Sequence, residues 1–310
     1  SDISMVNKFL KRSKNIIPEW FATIAGLDDR RKFRGIDEST FYLEYEIPAL
    51  RKKYLKQKPK HIVFIFMESQ PDWLSNYKEG DFQNKILKNK EHIKKNSLSF
   101  NHHFQASNGT IDNIIKINLS IPSNNHYRIA FDPEIYKPFS TTFPRIMENQ
   151  GYMPLFFYGG SLNEGRLYSL IPKLGYHNFF GESSIQNVTK IRYGVHDGDL
   201  FELVHQKLMK AKQPTFSFVM TLSNHAPYEV PENFVGQVTS SNAPAKLKKR
   251  ILDEDNFDKR MRALAYADHA LGEFFQKAKN SLYFKETLFV LTADHSHGMA
   301  LKWQPEEEYQ

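Results

Sequence analysis

The chain has no cysteine. That absence excludes disulfides, thiolate metal sites and a cysteine nucleophile. It leaves the compartment open, because a cysteine-free chain suits an oxidising cell envelope as well as the cytoplasm. Long apolar runs are also missing. The longest, around Ile62–Met67 and Leu288–Ala293, fall far short of the roughly 20 residues a helix needs to span a bilayer. No compact apolar stretch followed by small residues marks the start of the chain, so no secretory signal is legible. No internal repeat is visible. What remains reads as a soluble piece of protein, of the kind cut from something larger.

What is present is enough for one large α/β domain or two small ones: 310 residues, 40% apolar and 14% aromatic. The net charge of +7 is unevenly spread. Residues 1–60 carry 14 Lys/Arg and 8 Asp/Glu, so +6 of the +7 lies in the first fifth of the chain. Such a basic lead-in suits anionic lipid headgroups, or is simply a solvated helical face. No nucleic-acid-binding motif accompanies the charge, which argues against a nucleic-acid partner.

From about residue 61 the pattern changes. His61–Met67, Thr215–Leu222 and Thr287–Thr292 are short β-branched and aromatic runs without alternation, as strands buried on both faces are. Leu98–Phe104 and Pro154–Tyr158 are weaker strand candidates, and Thr40–Glu46 is a short one in the lead-in. Between them, apolar spacing predicts helices over Ser140–Gln150, Asp199–Lys210 and Asn256–Lys279, and Gly236–Arg250 reads as an exposed loop. Strands alternating with helices predict an α/β fold: a mostly parallel central sheet flanked by helices on both faces.

In open parallel sheets ligands collect at the carboxyl ends of the strands. The strong strands run into Glu68-Ser69, Ser223-Asn224-His225 and Asp294-His295. Glu, Asp and His are oxygen and nitrogen donors that suit Mn²⁺, Mg²⁺ or Zn²⁺. Asp294 and His295 would point to opposite faces of a continuing strand, so both reach one ion only if the chain turns there, and Gly298 permits a turn. The alternative is a capping aspartate beside a surface histidine. Ile111, Ile114, Ile115 and Leu119 have helical spacing, which places Thr110 at a helix start, where free backbone N–H groups favour an anion. Beside a divalent cation its hydroxyl would become nucleophilic. From position alone, Thr110 reads equally as a helix cap.

Further segments add a resemblance. HIVFIFMES at 61–69, SNGTIDN at 107–113, GYMPLFFYGG at 151–160, LGYHNFFGE at 174–182, YGVHDGDLF at 193–201, TLSNHAPYEVPE at 221–232, YADHALGEFF at 266–275 and LFVLTADHSHG at 288–298 stand in this order. Together they resemble the lipoteichoic acid synthase-type phosphoglycerol transferases of the alkaline phosphatase/sulfatase superfamily.

The resemblance implies a sulfatase-like catalytic domain over residues 61–310, behind a juxtamembrane lead-in over 1–60 packed on it. It implies one divalent metal ion, Mn²⁺ by preference with Mg²⁺ or Zn²⁺ as alternatives, held by Glu68, Thr110, Asp294 and His295. Thr110 matches the nucleophile. His225 matches a histidine that holds the substrate phosphate or protonates the leaving group. Arg166 falls one residue from the expected place of a headgroup-binding arginine, and the tryptophan expected beside it has no match in SLNEGRL at 161–167. The implied reaction moves a phosphoglycerol or phosphoethanolamine headgroup from a phospholipid to a glycan or polyol-phosphate acceptor through a phosphothreonine. Its implied place is the extracytoplasmic face of a bacterial inner membrane, with the basic segment against the lipid. Alternatives are a phosphodiesterase or phosphatase using water, and a silent relative that binds headgroups or glycans. Sulfatases that oxidise Cys or Ser in C/S-x-P-x-R do not fit, since the chain has neither cysteine nor Ser-x-Pro-x-Arg. The usual C-terminal subdomain is expected to be missing, because Pro305-Glu306-Glu307-Glu308 carries no fold signal. His102, His103, His269 and His297 read as surface or core histidines, the alternatives being that His297 approaches the metal or substrate and that His102-His103 reaches the substrate cleft.

Overall fold

The computed structural model describes residues 58–71, 73–77, 79, 81–100, 105–120, 139, 141–296, 301 and 302. Nearly all of the lead-in, the strand expected at Thr40–Glu46, His102, His103, His297, Gly298 and the acidic tail lie outside the described residues.

Every residue of His61–Met67 (β1) is buried, as a central strand covered on both faces requires. Met153–Tyr158 (β2) and Asn178–Phe180 (β3) follow, then Lys190–Ile191 (β4) and Gly194–Val195 (β5), which form a short antiparallel hairpin. Thr215–Met220 (β6) and Thr287–Ala293 (β7) complete the main sheet, ordered β3-β2-β6-β1-β7. All its pairings are parallel. Helices lie at Trp73–Asn76 (α1), Phe82–Lys95 (α2), Thr110–Leu119 (α3), Phe143–Asn149 (α4), Leu167–Leu174 (α5), Asp197–Met209 (α6), Ala245–Lys248 (α7) and Glu254–Lys279 (α8).

The continuous apolar runs divide by parity between two cores. Ile62, Phe64 and Phe66 of β1 join Phe216 and Phe218 of β6 against α3, α4 and α5. Val63, Ile65 and Met67 face the other way, with Leu155, Phe157 and Val219, against α6 and α8. The first core is ordered by a phenylalanine ladder. Phe64 lies opposite Phe218, and Phe156 lies on Phe218's other side. The rings stack at 5.5 and 5.6 Å, nearly parallel at 8° and 9°. Each such pair adds about 0.5–1.5 kcal/mol beyond area burial. The ladder ties β1, β6 and β2 together.

The mostly parallel α/β sheet with helices on both faces is therefore found, and the strand at 154–158 is real. Three readings need correcting. Thr287–Thr292 is not buried on both faces: β7 stands at the sheet edge and all its residues are half-buried. Gly236–Arg250 is not simply an exposed loop: Val238, Ala243 and Leu247 are buried in a third apolar cluster with α2 and α8, and α7 forms within it. Residues 98–100 have no regular structure, so the described part of Leu98–Phe104 is not a strand. Among the described residues, no helix is long and apolar enough to cross a membrane.

Candidate metal and nucleophile centre

The sheet register builds the site. β1 and β7 pair Met67 with Ala293, so Glu68 and Asp294 leave the sheet side by side. The Asp294 N–H still donates to the Met67 carbonyl at 3.3 Å. From the next strand over, the Thr221 hydroxyl accepts the Glu68 N–H at 2.9 Å.

The turn needed to bring Asp294 and His295 together comes at Asp294 itself. β7 ends at Ala293, and Asp294 Oδ1 accepts the His295 N–H at 2.7 Å. The same oxygen accepts the Ser69 N–H at 2.7 Å. Ser69 sits in the left-handed region at φ 48°, a conformation that costs a non-glycine residue of order 1 kcal/mol. Its hydroxyl donates to Glu68 Oε1 at 2.7 Å, and its carbonyl accepts from Asn224 Nδ2 at 2.8 Å and Arg260 Nη2 at 3.1 Å. Those bonds hold the corner in place.

Thr110 arrives from the other side of the cleft. The N-cap of α3 is Gly109, and no side chain caps the helix. The capping role is therefore not the one Thr110 takes. Its hydroxyl lies 3.0 Å from Asp294 Oδ2, 3.1 Å from Glu68 Oε2 and 3.4 Å from His295 Nε2. The preceding turn is fixed by Asn113, whose amide donates to the Ser107 and Gly109 carbonyls, and by the buried Lys116, which donates to the Ala106 carbonyl.

The structure thus brings Glu68, Asp294 and His295 together, with one donor atom from each lying within 4.8 Å of the others, and sets the half-buried Thr110 hydroxyl among them. Glu68 and Asp294 are 1% and 0% exposed. Burial raises the Glu68 pKa well above the usual carboxylate value, and the adjacent Asp294 charge raises it further; hydrogen bonds from Ser69 and Thr110 offset only part of this. Two buried carboxylates and an imidazole around one hydroxyl fit a divalent cation, whose charge would remove the repulsion. Tyr158, at the end of β2, has its pKa raised by burial first, then by Glu68, Glu164 and Asp294.

His225 is less closely tied. It is half-buried, with Nδ1 at 2.7 Å from the Ala226 carbonyl and its ring edge-on to Tyr193 at 5.1 Å. Its neighbour Asn224 anchors the loop on the Glu68 and Ser69 carbonyls. Arg166 is exposed, in the left-handed region at φ 58°. Its loop packs on α3: a Cβ on Gly165 would stand 3.0 Å from Ile111, the residue after Thr110. His269 is a surface residue, 3.5 Å from Glu273.

Sequence reasoning gave no role to Ser69, Asn113, Asp197, Asn224 or Arg260. Asp197 is a buried latch, accepting the Leu222 and Ser223 N–H groups at 2.8 and 2.9 Å. Most of these stand inside the quoted segments. Arg260 had a different signal: a lone arginine on the apolar stripe of Phe257, Leu264 and Leu271.

A family model described as Sulfatase matches residues 60–310. The chain belongs to the sulfatase family. Lipoteichoic acid synthase 1 of Bacillus subtilis (strain 168) is 24% identical over 299 residues, covering 90% of this sulfatase-family chain and 44% of that protein. Among solved structures, the lipoteichoic acid synthase LtaP from Listeria monocytogenes superposes with a TM-score of 0.63 at 19% identity, over 76% of this chain and 56% of that one. The Streptococcus pyogenes phosphoglycerol transferase GacH, in complex with sn-glycerol-1-phosphate, gives 0.55 at 17% identity, over 96% and 72%. These likenesses show the fold. The chain spans less than half the length of the curated relatives it matches.

Proposed function

We propose that residues 61–310 form a catalytic domain that moves a phosphoglycerol or phosphoethanolamine headgroup from a phospholipid to a hydroxyl on a glycan or polyol-phosphate acceptor. The observation that carries this reading is the Thr110 hydroxyl, at the first turn of a helix and 3.0, 3.1 and 3.4 Å from Asp294, Glu68 and His295. Relatives named lipoteichoic acid synthase and phosphoglycerol transferase, one of them solved with sn-glycerol-1-phosphate, support the headgroup class. In this reading the basic segment over 1–60 rests on the membrane surface at the extracytoplasmic face.

Glu68, Thr110, Asp294 and His295 would hold the divalent ion, Mn²⁺ by preference. When bound, it supplies positive charge that lowers the Thr110 pKa and stabilises charge on the phosphoryl oxygens. The chain's residues do the rest. Thr110 Oγ1 gives its proton to a neighbouring carboxylate oxygen and attacks phosphorus. The Oγ1–P bond forms, the bond from phosphorus to the diacylglycerol oxygen breaks, and that oxygen takes a proton from His225. The result is a phosphothreonine diester that retains the headgroup. In the second half-reaction His225 recovers a proton from the acceptor hydroxyl as its oxygen attacks phosphorus. Thr110 then leaves and regains its own proton. Free N–H groups at the start of α3 favour the phosphate charge throughout. Arg166, on the loop against Ile111, meets the headgroup.

Incubating the protein with Mn²⁺, headgroup-labelled phosphatidylglycerol and a glycolipid acceptor tests this directly. Label should appear on the acceptor, and a quenched reaction should carry it on Thr110. Label recovered only as free glycerol phosphate would make the protein a hydrolase. Unchanged turnover in Thr110→Ala would sink the nucleophile assignment.

A further inference from the structure

We infer that Arg260 is a positioning residue that locks the metal-ligand corner and the His225 loop into one unit. Its side chain is 1% exposed, on a stretch of α8 where the neighbouring inward positions are apolar. A buried guanidinium is costly unless its donors are used. Here one nitrogen, Nη2, donates to the Ser69 carbonyl at 3.1 Å, and another, Nη1, donates to the Tyr228 hydroxyl at 3.0 Å. The guanidinium also lies 5.3 Å from the centre of the Tyr228 ring, within cation–π range.

Both partners are corners. Ser69 at φ 48° and Tyr228 at φ 67° are left-handed non-glycine residues, a conformation that persists only where the surroundings over-determine it. Ser69 follows Glu68, to which its hydroxyl donates, and its N–H donates to Asp294 Oδ1. Tyr228 closes the turn that presents His225, its N–H donating to the His225 carbonyl at 2.8 Å. Asn224 joins the same corners, reaching the Glu68 and Ser69 carbonyls. Arg260 is thus a rigid fork spanning two strained turns, one with the ligands and one with the proposed acid. Arginine suits this because its planar fork is pre-organised, whereas lysine offers a single flexible point.

Backbone hydrogen exchange read by mass spectrometry, without added metal or substrate, tests the lock independently of any reaction. In Arg260→Met, peptides covering 66–71 and 222–230 should exchange at least tenfold faster, while peptides from β2 and α5 keep their protection. Tyr228→Phe, which keeps the ring and removes only the hydroxyl, should loosen the same peptides to a smaller degree. It also serves if the methionine variant fails to fold. Arg260→Lys should restore part of the protection. Local exchange unchanged in both Arg260→Met and Tyr228→Phe would overturn the inference, as would uniform loss of protection across the sheet in Tyr228→Phe. The inference extends the proposed reaction: where headgroup transfer is measured, Arg260→Met should lower kcat about tenfold or more with KM little changed. Absence of transfer in the wild type would count against the proposed function and leave the exchange result standing.

Discussion

Two buried carboxylate sites lie close together at the carboxyl edge of the sheet, and they differ in whether a second acid stands beside the first. Asp197 is wholly buried, and its Oδ1 accepts backbone N–H groups from Leu222 and Ser223. Burial raises its pKa, and those bonds pull it back. The Glu68 and Asp294 pair also takes backbone donors, from Ser69 and His295 at Asp294 Oδ1, but it adds hydroxyls, an imidazole and, above all, a second carboxylate. Burial alone does not separate structure from chemistry. The neighbours do: backbone donors to a single acid make a latch, whereas two acids side by side make a place whose repulsion a cation would offset.

The sharpest way to break this contrast is at His225 and Glu68. His225→Ala should cut kcat by about 10²–10⁴ in the labelled-lipid assay while leaving Mn²⁺ affinity, read by calorimetry, unchanged. Glu68→Gln should lose at least an order of magnitude in Mn²⁺ affinity, measured the same way. It should also reshape the pH dependence of stability in the metal-free protein. The folded Glu68 pKa is raised above the ordinary glutamate value of about 4.5, so the unfolded chain ionises first. Stability is then full below about pH 4.5 and falls as pH rises towards the folded pKa. Thermal melts in chelator should show that decline in the wild type and a flatter profile in Glu68→Gln, and added Mn²⁺ should reverse it in the wild type only.

Asp197→Ala should behave the other way. It leaves buried backbone donors unsatisfied, a loss of about 1–3 kcal/mol in urea unfolding, with metal affinity kept once the protein is folded. The smallest effect should come from Gly165→Ala. Its φ of 55° and the 3.0 Å approach to Ile111 strain an added Cβ, for about 1 kcal/mol in thermal stability. A rise in KM of a few fold should accompany it, because the strain falls on the Arg166 loop. Loss of Mn²⁺ affinity in Asp197→Ala but not in Glu68→Gln would reverse the comparison.

What could be read in advance follows from how each element earns its burial. β1 and β6 were legible because strands covered on both faces carry nearly unbroken apolar runs, and β7 carries the same kind of run although its residues are half-buried at the sheet edge. α2 was not: lysines at 85, 88, 90, 94 and 95 hide a narrow apolar edge of Phe82, Ile86 and Leu87. α5 holds Pro172, which reads as a helix breaker. β3 has three residues and lies at the sheet edge, too short for a pattern. The donors Glu68, Asp294 and His295 were visible as strand-end residues, yet their turn was expected from Gly298 and arises from the Asp294 side chain binding its own neighbour's N–H. Ser69, Asn224 and Arg260 act through contacts between residues far apart in sequence, which spacing cannot reveal.

The pairing of Met67 with Ala293 has a further consequence for assembly. Glu68 and Asp294 belong to segments 226 positions apart, and they become neighbours only when β7 docks against β1 in this one register. Side chains alternate between faces along a strand, so a slip of one residue would take Leu288 and Val290 of β7 off the first core and Phe289 and Leu291 off the second. The same slip would also separate the acids. In the proposed reading, a chain whose β7 has not docked would have half a ligand set and no strong hold on an ion. Metal uptake would then report that β7 has found its register on β1, which would tie the acquisition of chemistry to that step of folding.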